Sequence, residues 1–213
     1  FLNADGTVKS EQKISETTGG FGGALDPFDW FGQAITSLGD LDRDGNPDIA
    51  VSANLDDDGG ADQGAIWILF LNADGTVKSE QKISETTGGF SGALDPGDRF
   101  AHDVTILARA AGNPALVVGA SFDDDGGTDQ GALWLLSLNS DGTVASHLKI
   151  SEVAGGFGGV LNLGDQFGSS VSSIGDLDAD GNPELVVGAE ADDNGGTNQG
   201  AVWILSLKGP ISQ

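Results

Sequence analysis

Two stretches of this chain space carboxylates around a glycine in a way that suits a hard divalent cation. Gly39 to Asp48 reads GDLDRDGNPD, and Gly175 to Glu184 reads GDLDADGNPE. Counted from the first aspartate, loop positions one, three, five and nine carry carboxylates, and position six is glycine. Oxygen ligands on alternate residues around a sharp glycine turn are what calcium requires. The candidate ligands are therefore Asp40, Asp42, Asp44 and Asp48 in one loop, and Asp176, Asp178, Asp180 and Glu184 in the other. Carboxylates clustered this closely repel one another unless a cation or water separates them. A helix–loop–helix calcium site would need glutamate at position twelve. Val51 and Val187 stand there, so that reading fails.

These loops must be held by elements that repeat. Residues 1–27 and 70–96 are identical except for Gly22 against Ser91, and residues 138–163 form a diverged third copy. Phe31, Phe100 and Phe167 recur as anchors, as do Trp67, Trp134 and Trp203, at spacings of 67 to 69 residues. A fixed period of this kind marks a solenoid, a propeller or an array. The repeats run over approximately 1–69, 70–136 and 137–207 of a single segment, 1–213. Each unit offers four short apolar or alternating stretches bounded by glycine, aspartate and asparagine, which read as strands. In the first full unit they are Phe31 to Ser37, Asp48 to Ala53, Ala65 to Leu71 and Val77 to Ser84. The run from Ala65 to Leu71 is apolar without a break, so both its faces must be covered. No segment shows a helical period with caps. The expectation is an all-β protein: a β-propeller of four-stranded antiparallel blades, with three blades' worth of repeats. The acidic nonapeptide then lies between the first and second strands of a blade.

Composition narrows the partners. Nine basic residues face 33 acidic ones, for a formal charge of −24. Such a chain repels nucleic acid and anionic membrane surfaces and attracts cations. It has no cysteine, which excludes a disulfide framework and a thiolate zinc site. No apolar run approaches the length of a membrane span. Glycine, 35 of 213 residues, falls in short clusters that punctuate turns.

The phase of the repeat sets a further expectation. Phe1 and Leu2 match Phe70 and Leu71, so residues 8–16 supply an orphan fourth strand. The last unit stops at its third strand, near Leu207. Three complete blades result only if the N-terminal strand completes the last one. Because propellers need four to eight blades, either chains share blades in a homo-oligomeric ring or the chain is part of a longer polypeptide. The starting phase favours the excised piece.

Phe31 to Asn54 (FGQAITSLGDLDRDGNPDIAVSAN) and Phe167 to Glu190 (FGSSVSSIGDLDADGNPELVVGAE) resemble FG-GAP repeats, the blades of the integrin alpha-subunit propeller and of many secreted bacterial proteins. The resemblance implies a β-propeller, an extracellular or cell-surface setting, calcium in the first-to-second-strand loops, and adhesion or ligand display. It adds the carbonyls of Asn46 and Asn182 to the two expected calcium sites. Glu184 departs from the usual aspartate, and the middle unit departs entirely. There Phe100-Ala101 replaces Phe-Gly, and Leu107 to Asn113 lacks the carboxylates. Arg109 in that stretch reads as an exposed arginine rather than a charge in the ion's place.

A second acidic element recurs as Asp56-Asp57-Asp58-Gly59-Gly60, Asp123-Asp124-Asp125-Gly126-Gly127 and Asp192-Asp193-Asn194-Gly195-Gly196, followed by Gln63, Gln130 and Gln199. It reads as a polar hairpin chosen for turn geometry, with a weak cation or sugar site as the alternative. Trp30 is the one candidate platform for stacking a sugar. His102 and His147 have no repeated partner, and no pair of carboxylates stands out as an acid–base couple. The functional expectation is a secreted, calcium-binding propeller with a structural or adhesive role toward an extracellular protein or glycan. It is not an enzyme. The alternatives are a glycan-binding lectin, a fibre or surface-layer subunit joined through its unpaired terminal strands, and last a glycan-active enzyme.

Overall fold

The computed structural model describes residues 2–107 and 115–207. Arg109 and most of the middle loop that lacks carboxylates lie outside the described residues. Among the described residues every regular element is a strand. The first sheet holds β1 (Ile35–Gly39), β2 (Asp48–Ala53), β3 (Ala65–Leu71) and β4 (Val77–Ile83). The middle sheet holds β5 (Phe100–Leu107), β6 (Ala115–Ala120), β7 (Ala132–Leu138) and β8 (Val144–Ile150). The third holds β9 (Phe167–Gly175), β10 (Glu184–Ala189) and β11 (Ala201–Leu205). Each sheet is an antiparallel meander in chain order.

The sheets stack face to face, first on middle and middle on third. Ile66 and Ile68 of β3 share a core with Phe90, Phe100 and Trp134. Leu133 and Leu135 of β7 share the next core with Phe157, Phe167 and Trp203. Successive side chains of a strand point to opposite faces. The tryptophan face of each sheet therefore looks toward the preceding unit, and the alternate residues look toward the following one. A phenylalanine from the connection before each sheet packs edge-on against its tryptophan. The pairs are Phe21–Trp67, Phe90–Trp134 and Phe157–Trp203, with ring centroids 4.9–5.0 Å apart.

Among the described residues the third sheet ends at its third strand, as the phase of the repeat predicts, and no closed ring of sheets is present. Two details differ from the sequence expectation. Residues 8–16 form no ladder. Their neighbourhood shows only the isolated bridges Leu2↔Val8 and Ser15↔Thr18. A fourth strand pairs with the third strand of its own sheet, as β4 does with β3, and no such edge lies beside residues 8–14. The first strand of the first sheet starts at Ile35 instead of Phe31. The φ angles of Trp30 and Gly32, 55° and 96°, recur at Gln166 and Gly168, so they are not the cause; the Phe100 and Phe167 amides donate to the Gln63 and Gln130 carbonyls of the preceding unit, and among the described residues Phe31 makes no such bond. In β5 the same place is a register shift between Phe100 and Val104.

Candidate metal centre

Each acidic nonapeptide is a loop between a first and a second strand, closed by carboxylates that accept its own backbone N–H groups. In the first loop, Asp40 accepts from the amides of Asp44 and Gly45 (2.9 and 3.0 Å), and Asp44 accepts from Asn46 (2.8 Å). Asp176 and Asp180 repeat this pattern. Two residues before the glycine, Arg43 or Ala179 has φ near 60°, and Gly45 and Gly181 have φ above 90°. That is the sharp turn expected from the sequence. The ninth position opens the second strand, so its side chain comes from a buried ladder. Asp48 and Glu184 are 0% and 1% exposed.

The loops bring one oxygen from each of Asp40, Asp42 and Asp48 within 4.8 Å of one another, and likewise from Asp176, Asp178 and Glu184. Asp44 and Asp180 stand outside these groups, turned onto Asn46 and Asn182. Burial pushes the Asp48 carboxyl above its ordinary value, opposed by N–H donors from Leu41 (2.8 Å) and Leu71 (3.2 Å). In the third sheet Glu184 Oε2 accepts from the Leu177 amide at 2.5 Å, while its buried Oε1 has no hydrogen-bond partner. An unpartnered, buried carboxylate oxygen is costly, and it belongs to one of the three side chains that converge there. The donor set is all oxygen and anionic, which fits a hard divalent cation and no soft one.

One cation already reaches the first loop. Lys78 of β4 pairs with Asp42 and with Asp44, the latter at 2.5 Å. This contact raises the Lys78 ammonium and holds Asp44 below the usual carboxylate range. The sequence reading missed Lys78, whose contacts span 36 and 34 residues.

The second acidic element is also more than a turn. Asp56 and Asp123 are buried and pair with Lys82 and Lys149 at 2.6 Å, and Asp58 and Asp125 close the same clamps. The two ammonium groups sit over Trp67 and Trp134, 5.4 and 5.1 Å from the ring centroids. A signal for this pair was present in the sequence: Lys13, Lys82 and Lys149 each precede Ile-Ser-Glu. Trp30 is exposed beside exposed Phe28. His102 and His147 each face a serine hydroxyl, Ser121 at 3.1 Å and Ser91 at 3.0 Å, and burial lowers both imidazoles.

Residues 31–69 and 167–205 match the FG-GAP repeat model, and each matched stretch contains one acidic nonapeptide. The chain carries FG-GAP repeats. Such repeats point to a β-propeller-like module often involved in protein interactions, they often bind calcium, and they are typical of extracellular proteins. Among the described residues no helix is long and apolar enough to cross a membrane.

Proposed function

We propose that this chain is a calcium-braced propeller module of an extracellular protein, with a structural or adhesive role and no catalytic one. The observation that carries the calcium reading is the convergence of three carboxylates at each FG-GAP loop, two exposed or half-buried and one fixed in a strand. Asp40, Asp42, Asp44 and Asp48, with the Asn46 carbonyl, would hold one ion. Asp176, Asp178, Asp180 and Glu184, with the Asn182 carbonyl, would hold the other. Calcium would supply the positive charge that lets these carboxylates stand together, and so tie the loop to the strand it precedes. In the first loop Lys78 supplies part of that charge already, so the third-sheet loop is the tighter of the two.

Titration calorimetry and a chelator melt test this reading. Two calcium equivalents are expected, falling to one in the Asp176→Asn/Asp178→Asn variant. At calcium about 100 times its Kd each site adds about 2.7 kcal/mol, which for a chain of this size raises Tm by roughly 5–10 °C. A Tm that ignores chelator, together with no heat of binding, would sink the proposal. A lectin role is the second reading, supported by exposed Trp30 and Phe28. It requires reproducible sugar preferences on a glycan array that disappear in Trp30→Ala.

A further inference from the structure

We propose that Asn194, in the loop between β10 and β11, is a self-modification site. The amide nitrogen of Gly195 closes on the Asn194 side chain, and the residue passes through a succinimide to aspartate and isoaspartate. This goes beyond the calcium reading and does not depend on it.

The sequence offers one favoured place for this chemistry. Asn194-Gly195 is the one asparagine–glycine pair among ten asparagines. Ring closure uses the N–H of the following residue as nucleophile, and a Cβ on that residue obstructs its approach; glycine has none. Asn46, Asn113 and Asn182 precede proline, which has no N–H to offer. The other six precede alanine, serine, leucine or glutamine. Of these, Asn54 is buried at 1% exposed. Asn3, Asn72 and Asn139 have their side chains bonded to Thr7, Thr76 and Thr143. After Asn198, the Gln199 amide is spent on the Gly196 carbonyl.

The structure leaves the Asn194-Gly195 pair open. Both residues are exposed, and among the described residues the Gly195 amide donates no hydrogen bond. The Asn194 side chain is held on both sides. Its Nδ2, the leaving group, donates to Asp192 Oδ2 at 3.2 Å, and its Oδ1 accepts from Asn162 Nδ2 at 3.4 Å. The second contact aims a donor at the oxygen on which negative charge collects during attack. The exposure belongs to the loop and not to the edge of the third sheet. Asp58 and Asp125 take the same place in the first and middle units, where a fourth strand is paired. Their side chains are still 51% and 46% exposed. These two aspartates do not react alike, because an ionised carboxylate is a poor electrophile and Lys82 and Lys149 hold both in ion pairs.

The step balances with water as the one co-reactant. Gly195 N gives its proton to hydroxide and bonds to Asn194 Cγ. The Cγ–Nδ2 bond breaks, and Nδ2 takes a proton from water and leaves as ammonia. Water then opens the ring at either carbonyl. Opening at Cγ leaves an ordinary aspartate, so the loop reads as the Asp-Asp-Asp-Gly-Gly of the other two units. Opening at the main-chain carbonyl leaves isoaspartate and adds one carbon to the loop backbone. That displaces the turn which the Gly196 amide closes on the Asp193 carbonyl at 3.0 Å. Either product removes the side-chain donor from buried Asp192 and adds a negative charge beside it.

Peptide mapping of the 213-residue chain, incubated folded and in urea at mildly acidic and mildly alkaline pH, tests the proposal. The peptide carrying residue 194 should gain one mass unit, the difference between an amide and an acid. It should split into two chromatographic forms, faster at the alkaline pH and ahead of every other asparagine peptide. Asn194→Asp should co-elute with one of the two forms. Gly195→Ala should suppress the conversion. Its new Cβ meets only the end of the exposed Gln199 side chain, so the β-sheet circular dichroism spectrum should be kept. A residue-194 peptide unchanged at the alkaline pH, a parent rate in Gly195→Ala, or conversion in urea but not in the folded chain would each overturn the proposal.

Discussion

Asp98 shows how a single buried acid sets the pH response. It is 3% exposed, and burial pushes its carboxyl up to about 7, with Asp123 adding to the rise and Lys149 opposing it. Its Oδ2 accepts from the Asp95 amide at 2.8 Å, which ties the turn before β5. In the unfolded chain the same group ionises near the ordinary aspartate value of 3.8. Between these two values the folded state holds a proton that the unfolded state has lost, so this residue's contribution falls as pH rises through the window. Asp98→Asn keeps the acceptor oxygen and removes the charge. Thermal melts should therefore show parent and variant together below the carboxylate range and the variant higher above about 7. A gap that is constant with pH would mean that Asp98 is not the titrating group. The nonapeptide ligands were legible in the sequence because their chemistry is local, at alternate residues of one turn. Lys78 was not, and the Asp56–Lys82 clamp left only the recurring Lys-Ile-Ser-Glu as a trace, because strand pairing alone brings residues 24 to 36 positions apart together.

At the level of elements, the sheet-to-sheet joint turns on glycines that no other residue replaces. Gly131 has φ of 84°, and a Cβ there would overlap the Phe167 backbone at the start of β9. The Phe167 amide donates to the Gln130 carbonyl at 2.9 Å across the same joint. Gly97 has φ of 98° but open space around it. Gly97→Ala should cost about 1–2 kcal/mol for the left-handed backbone alone. Gly131→Ala should cost clearly more, because backbone on the neighbouring sheet must also move. Denaturant melts compare the two, and equal losses would mean that the joint yields without resistance. The strands themselves were legible from apolar runs between turn residues, and β2 and β3 fall where the pattern puts them. The late start of β1 was hidden because it turns on a bond to the preceding unit, made by the Phe100 and Phe167 amides but, among the described residues, not by Phe31, which the local sequence does not announce. The missing ladder of residues 8–14 was hidden for another reason. Their sequence specifies a strand, but a strand also needs an edge to pair with.

Across the whole molecule, a formal charge of −24 sets short-range attraction against long-range repulsion. The ion pairs among the described residues all draw on three lysines, Lys78, Lys82 and Lys149, which leaves most carboxylates to face one another through solvent. The clamps of Lys82 and Lys149 are largely buried, with side chains 13% and 12% exposed, and buried pairs are screened little by salt. The repulsion is spread over the surface, where screening sets in once the Debye length falls from about 30 Å at 0.01 M to about 8 Å at 0.15 M. Sodium chloride should therefore raise the melting temperature in calcium-free buffer, and by less once the acidic loops are saturated with calcium. Differential scanning fluorimetry over a salt series at fixed pH, with and without calcium, measures both effects. If Tm instead falls as salt rises, the three lysine clamps outweigh the net charge, and surface repulsion is not what limits this fold.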